Sequence, residues 1–157
     1  MSAGAGEMMK TARYSSRRWL LIFASSATVF SLMHHADHVI RGNHSGWPFQ
    51  AEVTPFTFSL LIYALILPAI YLTANGRDVA GYHLFVAVVG LTLIGFVHFA
   101  PTGEQESPIH DIYMVYESPV AGTLALVVLA GLITSVALLG ITAYGTLRMR
   151  TRTTEGD

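Results

Sequence analysis

Residues 19–40 read WLLIFASSATVFSLMHHADHVI, from Trp19 to Ile40, and this stretch decides the class of fold. It carries no charge until its last turns, and at 22 residues it is long enough to cross ~30 Å of hydrocarbon as a helix. Ionisable groups then crowd its end: His34, His35, Asp37 and His38. Such groups are costly at membrane depth, and where they persist they face a bundle interior, a partner or water.

The rest of the chain agrees with that reading. Of its 157 residues, 52% are hydrophobic and 12% charged, and mean hydropathy is +0.50, which sets the chain apart from soluble domains of this size. Further apolar stretches run over 56–74, 79–100 and 119–147, so the expected fold is all-α, a four-helix transmembrane bundle. The remaining ends, 1–18 and 148–157, read as polar tails. The apolar run that follows the basic residues is long, no clean small-x-small cleavage site precedes the histidines, and an even number of crossings fits the charge pattern, so the first helix is expected to be retained rather than removed as a signal peptide.

Orientation follows from the Lys/Arg bias of the flanks. Lys10, Arg13, Arg17 and Arg18 precede the first helix, Arg148, Arg150 and Arg152 follow the last, and Arg77 lies in the turn Asn75-Gly76-Arg77-Asp78. These mark the cytoplasmic side and put both termini there. The 101–118 loop instead holds Glu104, Glu106, Asp111 and Glu117 with no Lys or Arg, and faces outward. Trp19, Trp47, Tyr71, Tyr82, Tyr113 and Tyr116 fall at segment ends, as interfacial aromatics do. Ala121, Ala125, Gly131, Ser135 and Gly140 give the last helix a small-residue surface suited to close packing.

On this topology the histidines are unevenly spread. His34, His35, His38, His44, His98 and His110 lie toward the outer side, and only His83 lies near the inner one. At 100° per residue, His34, Asp37, His38 and Arg41 share a helix face, and His35 points about a quarter turn away. An i, i+4 histidine pair can chelate one ion. His98, at the outer end of the third helix, is a natural third ligand. Asp37 is placed either to ligate or to orient an imidazole through its N–H, and His110, Asp111 and Glu117 could close the site from the loop above. His83 reads as structural. The cluster also admits a plainer reading, as an Asp37–Arg41 ion pair among interfacial histidines, or as a pH sensor.

The same residues exclude several functions. With no cysteine there are no disulfides, thiolate metal sites or c-type haem attachment, and a formal net charge of −1 without a basic stripe argues against nucleic acid. Glu-x-x-His pairs of di-iron bundles, the His-Glu-x-x-His zinc motif, phosphate-binding loops and Gly-x-Ser-x-Gly are all missing from the sequence. What remains is a transition metal, copper or iron, or one haem b between His34 or His38 and His98. The leading expectation is an outward-facing redox centre in the cell membrane, in an oxidoreductase or a subunit of one. Its electrons would come through other membrane subunits, a homo-oligomer or a quinone. Two rivals from other classes are a non-catalytic assembly subunit and a small metal-ion transporter, the latter weakened by the lack of charged residues near the bilayer centre.

Overall fold

The computed structural model describes residues 3–41, 58–99 and 116–154, with side chains over 14–41, 58–99 and 116–151. Among these residues the chain is all-helical. Helix α1 spans Ala3–Arg41, α2 Ile62–Ala74, α3 Ala80–Phe99 and α4 Pro119–Thr154.

Three of the four helices contain a segment long and apolar enough to cross a membrane: 28 residues over Tyr14–Arg41, 20 over Ala80–Phe99 and 33 over Pro119–Thr151. The second stretch is interrupted near its start. Of the apolar stretch expected over 56–74, the described part is helical at 58–59, turns at 60–61, and continues as the 13-residue helix Ile62–Ala74, about 20 Å at 1.5 Å per residue. Residues 58–64 approach it through i to i+3 hydrogen bonds (Leu61 to Phe58, Tyr63 to Leu60), and Pro68 removes one donor from its middle. Helix also covers much of the two polar ends. α1 begins at Ala3 and α4 continues to Thr154, so helix extends through much of what the sequence suggests are tails. Met8, Met9, Lys10, Arg17 and Arg18 are good helix formers, and no proline interrupts them.

Local chemistry sets the helix ends. Ser118 caps α4: its Oγ accepts from the Ala121 N–H, and Pro119 takes the first helical position, where a missing N–H costs nothing. α2 stops in a glycine cap. Gly76, at φ +78°, donates to the Thr73 carbonyl and Arg77 to the Leu72 carbonyl, satisfying acceptors the helix would leave open.

The helices form a ring in which α4 packs on both α1 and α3, α2 bridges them on the other side, and α1 and α3 lie diagonally. Small residues make the contacts close: Ala24, Ala27 and Ala87 are fully buried, and a Cβ on Gly140 would come 3.2 Å from that of Ala87. The Phe30 ring lies on Gly131, where a Cβ would meet it at 2.6 Å. Val29, Leu32, Val88, Val127 and Ile141 point outward, an apolar belt that makes sense in hydrocarbon.

One end of the ring gathers the basic groups. Arg17 donates to the carbonyls of Thr73 (2.8 Å) and Ala74, and Arg150 pairs with Asp78, which joins α1, the α2–α3 turn and α4. His34, His38 and His98 occupy the opposite end.

Candidate metal centre

α1 carries His34 and His38 on successive turns, and α3 brings His98 to meet them from across the diagonal. His34 Nε2 lies 3.0 Å from His98 Nε2 and 3.1 Å from His38 Nε2. All three side chains are buried, at 4%, 9% and 6% exposure for His34, His38 and His98. Each residue offers one ring nitrogen, all within 4.8 Å of one another, so the three form a group that could hold a metal ion.

Proton counting shows what this convergence means. A neutral imidazole nitrogen either donates one proton or presents one lone pair. His98 donates from Nδ1 to the Ile94 carbonyl at 3.1 Å, which leaves a lone pair on its Nε2. The His34 Nε2 then meets two other nitrogens at hydrogen-bond distance with at most one proton to share. A cation at the centre resolves the conflict, because it takes all three lone pairs at once. Tetrahedral coordination with bonds of ~2.0–2.1 Å separates ligand nitrogens by about 3.3–3.4 Å, so the two contacts of His34, at 3.0 and 3.1 Å, would open by a few tenths of an ångström, while the nitrogens of His38 and His98 lie within 4.8 Å of each other. The bond from His98 to Ile94 is also the kind that orients a metal-bound imidazole. His34 Nδ1 is buried and has no partner among the described residues.

Asp37 shares the helix face of His34 and His38 but stands outside this group. Its Oδ2 accepts from Arg41 Nε at 2.9 Å with Nη2 at 2.8 Å, and its Oδ1 accepts from the Tyr116 hydroxyl. Arg41 is itself buried, at 7% exposure, so the carboxylate serves chiefly to neutralise a guanidinium beside the histidines. Burial, then the bond to Asp37 and its charge, push the Tyr116 phenol up to about 12. Tyr116 enters the sequence reading only as an interfacial aromatic. Its position just before the Ser118 cap was the available clue.

His35 stands apart, as its helical phase predicts. Its Nδ1–H faces the Ser31 carbonyl at 2.8 Å and the Tyr63 hydroxyl at 2.7 Å, Tyr63 donates to Ser31 Oγ at 3.1 Å, and Ser59 Oγ lies 2.8 Å from Nε2. This network ties α1 to the start of α2. His83 lies near the other end, fully buried, 2.6 Å from Thr73 Oγ1, whose proton goes to the Ala69 carbonyl. His83 therefore donates to that hydroxyl and joins α3 to α2.

Of the loop residues considered as ligands, Glu117 is exposed at φ +48° and is not part of the three-histidine group. His110 and Asp111 lie outside the described residues, as does His44. Comparison with protein-family models, curated proteins and solved structures gives no match, so the reading of this site rests on its own chemistry.

Proposed function

We propose that the chain is a multi-pass membrane protein whose His34, His38 and His98 bind one first-row transition ion, copper or iron, for redox chemistry, in an oxidoreductase or a subunit of one. The observation that carries this reading is the meeting of three buried Nε2 atoms with fewer protons than contacts. Imidazole suits copper and iron, and three protein ligands leave a coordination position for a reactant. The spacing favours a bare ion over haem. Two axial nitrogens on opposite faces of a porphyrin stand about 4 Å apart, twice a ~2 Å bond, whereas His34 and His98 approach to 3.0 Å with His38 against the same nitrogen.

Asp37 balances Arg41 next to the ion and leaves the three imidazoles as neutral ligands. The basic groups of Arg17, Arg77, Arg148 and Arg150 at the far end support a cytoplasmic location for that end and an extracytoplasmic one for the histidines. Electrons then arrive through the bilayer or from a partner subunit.

Purification in detergent followed by metal analysis and an absorption spectrum tests the reading. The expected result is about one copper or iron per chain, lost in His38→Ala, without a Soret band. A wild-type protein that stays metal-free after incubation with copper and with iron would refute it.

A further inference from the structure

A cavity of about 80 Å³ lies against the three histidines and continues inward between the helices. Every helix contributes to its wall, through Ala27 of α1, Ile66 of α2, Gly90, Leu93 and Ile94 of α3, and Val136 of α4. Hydroxyls on the wall are engaged with protein: Thr28 Oγ1 donates to the Ala24 carbonyl at 2.8 Å, Ser31 Oγ accepts from Tyr63, and Ser59 Oγ meets His35. The wall is thus hydrocarbon over most of its area, with the histidines at one end.

We infer that this cavity is the chamber in which a small uncharged ligand, of the size and polarity of nitric oxide or dioxygen, meets the ion held by His34, His38 and His98. The inference rests on the metal-centre reading and adds the class of ligand and the side from which it binds. Size sets the first limit. An apolar cavity of ~150 Å³ takes benzene, so about half that volume suits a molecule of two to four heavy atoms and excludes a quinone ring. Charge sets the second. An anion moving along an apolar wall inside a membrane loses its hydration without gaining donors, whereas an uncharged diatomic partitions from lipid at little cost. Gly90 and Ala27 keep the chamber open, since each offers the wall little or no side chain.

The test uses the full-length protein in detergent, loaded anaerobically with Fe(II) and titrated with nitric oxide, followed by absorption and electron paramagnetic resonance. Nitric oxide is expected to bind the iron, while nitrosobenzene, uncharged but too large, is not. Ala27→Leu, which fills the chamber without touching a ligand, is expected to keep its iron and to weaken nitric oxide binding at least tenfold. Gly90→Ala is the gentler variant, because its Cβ would sit 3.5 Å from Val136 Cγ1 in ordinary contact, and a two- to fivefold weakening is expected. If Ala27→Leu does not fold, Gly90→Ala decides. Iron retained with nitric oxide affinity unchanged in both variants, or nitrosobenzene binding as well as nitric oxide, overturns the chamber and leaves the metal centre standing. A wild-type protein that takes up copper but no iron is loaded with Cu(I) and titrated in the same way with the same deciding outcomes, and one that holds neither metal removes both readings.

Discussion

His83 and the His34, His38 and His98 group are all buried histidines in one bundle, yet their surroundings differ in kind. At His83 the ring meets an oxygen, Thr73 Oγ1, which passes its own proton to the Ala69 carbonyl, so the hydrogen bonds at Nε2 run in one direction, although its Nδ1, like that of His34, is buried without a partner among the described residues. At the opposite end, nitrogen meets nitrogen twice, and the protons do not suffice. Burial alone is therefore a poor guide to a ligand histidine. Convergence of lone pairs without donors is the better one.

The strongest way to break this contrast is to remove ligands at one end and test for metal. His98→Ala is expected to lower bound metal from about one per chain to below a tenth, measured by elemental analysis, while His83→Ala leaves it unchanged. Equal loss in both variants would erase the distinction between the two sites. Asp37→Asn probes what surrounds the group rather than the group itself. It leaves the Arg41 charge unpaired in a buried position, where breaking an ion pair costs about 3–5 kcal/mol, and it should weaken metal binding roughly tenfold. Unchanged denaturation midpoint and metal affinity would show that the pair is solvated after all.

A smaller effect is expected at the inner end. Thr73→Val keeps the shape of the side chain but removes the acceptor of the His83 N–H, which should cost about 1–3 kcal/mol in a detergent denaturation titration with metal content intact. The smallest signal belongs to Tyr116. Because burial first, and then the bond to Asp37, raise its phenol from about 10 in the unfolded chain to about 12 when folded, the stability linked to the neutral phenol is fully present below pH 10. That contribution is lost as pH rises from about 10 to 12. Ultraviolet titration of Tyr116→Phe against wild type should remove one late-ionising tyrosine, and loss of an early one would contradict the placement.

Much of the site was legible before any tertiary structure. Helical phase alone separates His35 from His34, Asp37 and His38, and His35 is indeed turned toward Ser59 and Tyr63 on α2. The same phase could not show that the Asp37 carboxylate is occupied, since Arg41 lies within its helix but Tyr116 comes from 79 positions along the chain. Hydropathy sums apolar character from Phe58 through Leu61 without registering the i to i+3 turn at 60–61, which separates the helical residues 58–59 from the helix that starts at Ile62.

The amino-acid sequence by itself determined the helical, membrane-type character of the protein and the pairing of His34 with His38, because both follow from apolar run length and the 100° step between neighbours on one helix. Only the tertiary structure decided that His98 comes across the diagonal to complete the group. That choice depends on how closely α4 draws α1 and α3 together over Gly131, Gly140 and Ala87, a matter of packing between distant segments that no local pattern encodes.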